Sequence, residues 1–339
     1  MAEAPPLPAG QPAAPPFLQF DAGDEYPHAQ YSIASQLQVD TSIGALRDNH
    51  RYLETPQGWV LLLHLASGWT ALWRPQDRHE VALPPMEMDL PKNCKCLLTH
   101  KISDKPGATT PCVVVVLDLA RAQYWFYRVR GGTKWQHRSY TIPTLDTEGR
   151  RRKWNMARGV GIAAVGGKIY YELGGHELGV LEFDPVHAEP TLTRIKVDMD
   201  KVRIPQGFPT WLRYFVESCG ELFLVILYFR PNCRRKVFLV ALYKMDFSTA
   251  AWYKVNRIDD RVFLLCWDRS DLSRFGASCP ASNHGLTANR IYFFNNIFRS
   301  QDTLHVFDLI SRTKELTVPF NIFVQPKCPP LWMLPTEDS

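Results

Sequence analysis

The stretch VFLVALYKMDFSTAAWYKV, residues 237–255, contains two apolar strands joined by a polar turn, and this unit recurs along the chain. Turns rich in Gly, Pro, Asp or Ser between apolar strands are typical of β-hairpins. The hairpins recur at intervals of roughly 54 to 62 residues, a spacing long enough for four strands per repeat. The four other stretches with this layout are TALWRPQDRHEVALP, YWFYRVRGGTKWQHRSYTI, LGVLEFDPVHAEPTLTRIKV and TLHVFDLISRTKELTVP.

A strongly apolar run precedes each hairpin, and a further strand can be identified before most of these runs. The inner runs are almost continuously apolar, which is typical of strands buried on both faces, whereas the hairpins alternate. Four strands per repeat predict an all-β fold, a β-propeller of four-stranded blades. A β-sandwich is the alternative, but it does not predict a recurring four-strand unit. The inner runs are GWVLLLHL, PCVVVVLDL, GGKIYYELGG, ELFLVILYFR and NRIYFFNN.

Both ends of the chain carry strand-like pieces that the five repeats leave over: FLQF and YSIASQLQV at the front, and FNIFVQP at the back. A propeller must avoid open sheet edges, and pairing the N- and C-terminal strands in one blade does so. We therefore expect six blades, with five as the alternative. The predicted domain spans residues 17–326, between a disordered Pro/Ala-rich tail at 1–16 and a C-terminal tail at 327–339.

Composition narrows the class of protein. The formal net charge of +5 comes from a nearly even mix of both signs, which argues against a nucleic-acid binder. No apolar run reaches the roughly 18 residues of a membrane helix, and the first residues lack the features of a signal peptide. The 8 Cys form no C-x-x-C pair, so buried or surface thiols in a reducing compartment are expected, in the cytoplasm, the nucleus or both. The most helix-like segments, 35–49 and 144–159, are interpreted as loops or single turns.

The sequence contains no arrangement that predicts catalysis, and no cofactor or metal site is expected. The 10 His are scattered without metal-ligand spacing. Ser218 and Ser282 lie in no nucleophile elbow. The neighbouring carboxylates at 198 and 200, and at 259 and 260, lie in turn-like segments, where Asp bonds nearby backbone. We therefore expect a protein that is not an enzyme.

Two resemblances to known families are carried by specific residues. The third repeat resembles a kelch unit, with Gly174–Gly175 after one strand and Phe183–Asp184–Pro185 at a corner; the other repeats lack the double Gly. A closer resemblance runs from about Phe17 to Pro326, to the KIB-type β-propeller domain found in plants. In the first blade it is carried by Gly58–Val60, Leu72–Pro75 and Leu83–Pro85. In a second stretch, residues 252–296, it is carried by Trp252, Phe263, Leu264, Ser273, Ala277, Gly285, Leu286, Asn289, Ile291, Tyr292 and Phe293.

The KIB-type resemblance implies a function in protein recognition. Many members of that family carry an F-box helical module before the propeller and are similar to substrate receptors of ubiquitin ligases. Only a short Pro/Ala-rich stretch precedes the predicted propeller here, so we expect no direct binding to the F-box adaptor. The resemblance therefore implies a non-catalytic protein-interaction module. The alternative is a propeller enzyme or carbohydrate-binding propeller with its site at the central funnel.

Basic residues form the sharpest local feature of the chain. The run at 150–153 is interpreted either as a solvated loop or as a functional feature: a site for an acidic partner, a site for RNA, or a nuclear localisation signal. In a four-stranded blade, the loops from second to third strand and from blade to blade emerge on one face, and three such loops are basic here. We expect this face to bind an acidic protein, of an identity that the sequence does not give. The residues concerned are Arg150, Arg151, Arg152, Lys153, Arg234, Arg235, Lys236 and Arg299.

Overall fold

The computed structural model is built of β-strands, with a single short 3-10 turn (Ser282–His284) among the residues it describes. No helix in this part of the chain has the length and apolarity needed to cross a membrane. The described residues are 16–20, 29–40, 49–87, 90–91, 93–102, 112–118, 120–145, 151–154, 161–174, 176–184, 189–199, 201–202, 205, 211–230, 233–267, 274–295, 303–317 and 331–336.

The strands are numbered in chain order. Those of the N-terminal half are β1 (Phe17–Phe20), β2 (Ala29–Ser32), β3 (Gln38–Asp40), β4 (His50–Glu54), β5 (Val60–His64), β6 (Thr70–Trp73), β7 (Glu80–Leu83), β8 (Cys94–Leu98), β9 (Cys112–Asp118), β10 (Gln123–Val129), β11 (Gln136–Ser139), β12 (Ile142–Leu145) and β13 (Arg151–Trp154). Those of the C-terminal half are β14 (Ile162–Val165), β15 (Lys168–Gly174), β16 (Glu177–Glu182), β17 (Thr191–Lys196), β18 (Trp211–Ser218), β19 (Glu221–Arg230), β20 (Cys233–Asp246), β21 (Ala251–Val255), β22 (Arg261–Trp267), β23 (Arg274–Pro280), β24 (Arg290–Asn295), β25 (Thr303–Asp308), β26 (Lys314–Thr317) and β27 (Leu331–Met333).

These strands form six blades, as the sequence predicts. Blades 1 to 4 are four-stranded sheets of consecutive strands, β4–β7, β8–β11, β14–β17 and β18–β21. Their neighbouring strands are antiparallel. Blade 5 has the order β23-β22-β24-β25-β26, and blade 6 has the order β27-β1-β2-β3. The β12–β13 pair forms a separate two-stranded sheet, which follows blade 2 and precedes blade 3 along the chain.

Blade 6 confirms the predicted closure of the ring by both ends of the chain. The C-terminal strand β27 pairs antiparallel with β1, with Leu18 opposite Trp332. The strand that closes the ring is Leu331–Met333, within the segment interpreted from the sequence as a C-terminal tail. The piece FNIFVQP at 320–326, which had suggested a closing strand, lies outside the described residues, as does the N-terminal stretch before Pro16.

The core consists of six apolar layers, one between each pair of neighbouring blades, so the layers themselves form a closed ring. In β9, Val113 and Val115 pack towards blade 3 while Val114 and Val116 pack towards blade 1. Successive side chains of a strand point to opposite faces, so a strand in the middle of a blade is apolar at every position. This geometry explains the continuous apolar runs of the sequence.

The structure differs from the sequence interpretation in three segments. Residues 144–159, interpreted as a loop, contain the end of β12 and all of β13. Residues 35–49, interpreted in the same way, contain β3. The sequence identifies no strand between Trp267 and the run NRIYFFNN, but the structure has β23 there, which pairs with β22 and gives blade 5 a fifth strand. Short polar or charged strands of this kind lack the apolar runs from which the other strands were identified.

Candidate functional site

A depression of about 240 Å³ lies at the centre of one face of the ring, and all six blades contribute to its wall. The turns between the two innermost strands supply Gln57, His100 and Gly167 from blades 1, 2 and 3. Blade 4 contributes Glu217, and Pro335 follows the closing strand β27 of blade 6. The depression is therefore the central funnel at which the alternative interpretation placed a catalytic or carbohydrate site.

Contacts between neighbouring turns hold this wall together. The backbone N–H of Leu98 in blade 2 donates a hydrogen bond to Gln57 Oε1 in blade 1 at 3.2 Å. The ring of His100 lies so close to Gly167 of blade 3 that an added Cβ there would be 2.4 Å from its Cε1 atom. Gly167 also has a φ of +83°, so both the backbone conformation and the neighbouring ring require glycine. The wall is a packed part of the fold.

The extra strand β23 packs beside the innermost strand of blade 4. An added Cβ at Gly276 would lie 2.6 Å from the carbonyl oxygen of Phe215, which shows how closely the two backbones approach. The hydroxyls of Ser218 and Ser278 are 2.9 Å apart, and Arg261 Nε donates to Ser278 Oγ at 2.9 Å. Ser278 also lines the depression, so β23 brings blade 5 to the axis of the ring.

The charged and titratable side chains of the depression are His100, Lys101 and Glu217. Glu217 Oε1 accepts a hydrogen bond from the N–H of Gly220 at 2.8 Å, so this carboxylate supports its own turn. Catalysis by a pair of carboxylates requires two such groups at the reacting atoms, and among the described residues of the lining there is one. Over the described residues, no group of three or more His, Cys, Asp and Glu side chains could hold a metal ion.

The described basic residues of the run at 150–153 belong to a small sheet of their own. Arg151, Arg152 and Lys153 lie in β13, which pairs with β12 in a sheet separate from the blades. They therefore form part of a strand and not of a loop, whereas Arg150 lies outside the described residues. We refer to this two-stranded sheet as the β12–β13 ribbon.

Arg234, Arg235 and Lys236 lie in the first part of β20. The register of blade 4 places Trp211 opposite Tyr228, at the start of β18, and Tyr228 opposite Leu239. Beyond the start of β18, β19 and β20 pair only with each other, at Phe229–Val237 and Arg230–Cys233, and the register shifts so that Arg234–Lys236 lie between these two pairs. We refer to the described residues of this extension, 229–230 and 233–238, as the β19–β20 ribbon. The corresponding basic residue of blade 5, Arg299, lies outside the described residues.

The β19–β20 ribbon and the central depression lie at opposite ends of blade 4. The depression contains Glu217 and Gly220, at the end of β18, whereas the ribbon extends past Trp211, at its start. The ribbon therefore belongs to the opposite face of the ring. The sequence identifies its basic residues, but the distance by which the ribbon projects depends on strand register, which the sequence does not show.

The buried ionisable groups have structural partners or surroundings. Glu172 of β15 and Arg213 of β18 form an ion pair between blades 3 and 4. Burial lowers the pKa of His305 to about 3, and its ring stacks on Phe293 with centroids 5.1 Å apart. Burial also raises the pKa of the Cys94 thiol to about 11 and that of Cys112 to about 12. None of these groups lines the central depression.

The chain has similarities to solved structures at low sequence identity. The chain is similar over 94% of its length to a functionally unknown protein from Desulfotomaculum acetoxidans, covering 99% of that chain with 11% identity and a TM-score of 0.38. It is similar over 91% of its length to Citrobacter koseri AztD, covering 95% of that chain with 11% identity and a TM-score of 0.33. A search of curated proteins gave no significant match.

The family model described as the KIB1-4 β-propeller matches residues 30–314, which is most of the 339 residues of the chain. This match covers blades 1 to 4, most of blade 5 and part of blade 6. It includes the first-blade segment and the stretch 252–296 on which the resemblance in the sequence rests. The chain belongs to the KIB1-4 β-propeller family.

Proposed function

We propose that this propeller is a non-catalytic protein-interaction module whose basic ribbons bind an acidic surface of a partner protein. The observation that carries this proposal is the position of the basic runs. Arg151–Lys153 and Arg234–Lys236 both lie on two-stranded elements outside the four-stranded bodies of the blades. A cationic group on a projecting element meets an approaching partner first and accelerates encounter with an anionic surface.

The topology of a blade supports the proposal that both ribbons serve one face. The β19–β20 ribbon joins the second and third strands of blade 4, and the β12–β13 ribbon precedes the innermost strand of blade 3. In alternating antiparallel strands, these two kinds of connection leave a blade at the same end. The central depression, whose described lining includes one carboxylate, gives the alternative of an enzyme at the funnel less support.

The proposal is tested by affinity capture from a plant extract, since KIB-type domains occur in plants. The bait is the whole chain, compared with the charge-reversal variant Arg151→Glu/Arg152→Glu/Arg235→Glu. A matched control, Lys134→Glu/Lys254→Glu/Arg257→Glu, changes the net charge equally at exposed positions outside the two ribbons. We expect the principal partner to be retained by the wild-type chain and the control and lost by the ribbon variant.

The identity of the captured partner also tests where in the cell this chain acts and what kind of surface it binds. We propose a cytoplasmic or nuclear protein, so the partner should be a protein of one of these compartments, with an acidic contact surface. Equal capture by the ribbon variant and the wild-type chain would contradict the proposal. Release of the partner by nuclease treatment would also contradict it, because nucleic acid would then be the ligand.

A further inference from the structure

We infer that the β12–β13 ribbon binds its partner by strand addition: an extended acidic segment pairs with the outer edge of β13 and becomes the third strand of the sheet. This inference rests on the proposed function and specifies how the partner is held. In this mode of recognition, main-chain hydrogen bonds supply affinity, and side chains supply specificity.

The first step is that the described ribbon has two strands and two outer edges. Its four residue pairs run from Ile142–Trp154 to Leu145–Arg151, and no third strand pairs with it among the strands that the structure describes. A two-stranded sheet is marginally stable in water by itself, and three strands are usually needed. Each of its outer edges carries backbone N–H and C=O groups that can pair with a further strand.

The second step distinguishes the two edges. β12 contains Pro143, which has no N–H to donate. Proline within a sheet is found where its nitrogen faces away from the neighbouring strand. Pro143 therefore interrupts the outer edge of β12. Its partner across the ribbon is Lys153. Because the nitrogen of Pro143 faces outward, these two residues form a non-hydrogen-bonded pair, in which the N–H and C=O groups of both residues point away from the partner strand. The edge of β13, with the N–H of Lys153, is the edge that can accept a strand.

The third step is charge. Three of the four residues of β13 are basic: Arg151, Arg152 and Lys153. Opposite charges on paired strands attract, and like charges repel, so a basic or neutral strand is disfavoured relative to an acidic one. In any register, an added strand of this length lies beside basic residues. The edge therefore fits an extended segment rich in Asp or Glu.

The inference is tested with a synthetic probe, a short acetylated and amidated peptide of alternating Glu and Val, titrated into the whole wild-type chain. Its counterpart has the same sequence but is N-methylated at alternate amides, which removes main-chain donors from one edge and preserves the charge. The peptide in which Lys replaces Glu is the charge control. We expect the unmodified acidic peptide to bind about tenfold more tightly than its N-methylated form, and the Lys peptide not to bind.

Two variants at one position separate the main chain from the charge. Lys153→Gln removes the charge and keeps the N–H, whereas Lys153→Pro removes both. We expect Lys153→Pro to weaken peptide binding clearly more than Lys153→Gln does. If Lys153→Pro disturbs the ribbon itself, which its circular dichroism and melting curve would show, the N-methylated peptide on the wild-type chain still provides the test.

The outcomes separate this inference from the proposed function. Equal binding of the unmodified and N-methylated peptides would overturn strand addition and leave a purely electrostatic contact with the acidic partner. Absence of binding by the unmodified acidic peptide would overturn the inference as well. Failure of the proposed function would be seen in a different experiment: the ribbon charge-reversal variant would then capture as much of the partner as the wild-type chain does.

Discussion

The backbone N–H of Trp332, in the last strand of the propeller, donates a hydrogen bond to Glu54 Oε2 in the first blade at 3.0 Å. This contact joins positions separated by 278 residues and lies at the point where the ring closes. The segment after β27 adds two further contacts. Pro335 packs against Gly58, and the N–H and hydroxyl of Thr336 donate to Gln76 Oε1 at 3.1 and 3.0 Å. Closure therefore involves the edges of blades 6 and 1 as well as the pairing within blade 6.

Glu54→Ala should lower the free energy of unfolding by about 1–3 kcal/mol, because it removes a charged acceptor from a partly buried N–H. Equilibrium urea unfolding measures this change. Glu80→Ala, at an exposed position of blade 1, is the control and should cost less than about 0.5 kcal/mol. If both variants unfold at the same urea concentration as the wild-type chain, the Glu54–Trp332 contact does not contribute to closure.

Arg213→Met should be strongly destabilising, by about 3–5 kcal/mol, because it leaves the buried carboxylate of Glu172 without its cation. The double variant Glu172→Leu/Arg213→Met should recover much of this loss, since it buries no charge. The exposed pair Lys168–Glu182 serves as the comparison, and its loss should cost at most about 1 kcal/mol. A double-mutant cycle measured by urea unfolding gives the coupling free energy between the two residues of each pair. A coupling free energy near zero for Glu172 and Arg213 would contradict this account.

His305 should make stability depend on pH on the acid side of neutrality. Its pKa is lowered from 6.5 to about 3, chiefly by burial and secondarily by Lys314, so the folded state binds a proton less readily than the unfolded state. The contribution of this lowered pKa to the free energy of unfolding is fully present above about pH 6.5. It is lost as the pH falls towards 3, at up to about 1.4 kcal/mol per pH unit.

His305→Phe should remove this dependence while keeping a ring against Phe293. Unfolding free energies measured at pH 7 and pH 5 should therefore fall less for the variant than for the wild-type chain. His176→Phe, at an exposed position, is the control for the substitution itself. An identical fall in the His305→Phe variant and the wild-type chain would show that His305 titrates normally in the folded protein.

This chain should not bind the adaptor protein that F-box modules engage. An F-box is helical, whereas the described residues of this chain form strands and one 3-10 turn. Size-exclusion chromatography of an equimolar mixture should give two separate peaks. A stable one-to-one complex of the purified pair would contradict this prediction.

The sequence predicts the blades well because each depends on local patterns. The apolar runs, the hairpin turns and their spacing identify blades 1 to 5, and the left-over pieces at both ends predict a composite sixth blade. Leu331–Met333 was missed because a strand of three residues, in a stretch of four between Pro330 and Pro335, is too short for a periodic pattern. β23 was missed because its small and polar residues suit a strand only where it packs against β18, which is a tertiary contact.

The candidate site was predicted less completely. The basic residues are evident in the sequence, and a two-stranded ribbon around Pro143 is not, because β13 consists of RRKW and has no apolar alternation. The Glu172–Arg213 pair joins residues 41 positions apart in different blades, so only the fold brings them together. The central depression likewise depends on the closure of the ring.

The measurement that tests the central claim most directly is the affinity of the principal partner for the wild-type chain and for Arg151→Glu/Arg152→Glu/Arg235→Glu, each at several salt concentrations. We expect the variant to bind at least about tenfold more weakly, with a flatter dependence on salt, because the ribbon charges steer and hold an acidic surface. The melting temperature of the variant, measured alongside, should be almost unchanged. An affinity and salt dependence equal to those of the wild-type chain would contradict the claim that the basic ribbons bind the partner.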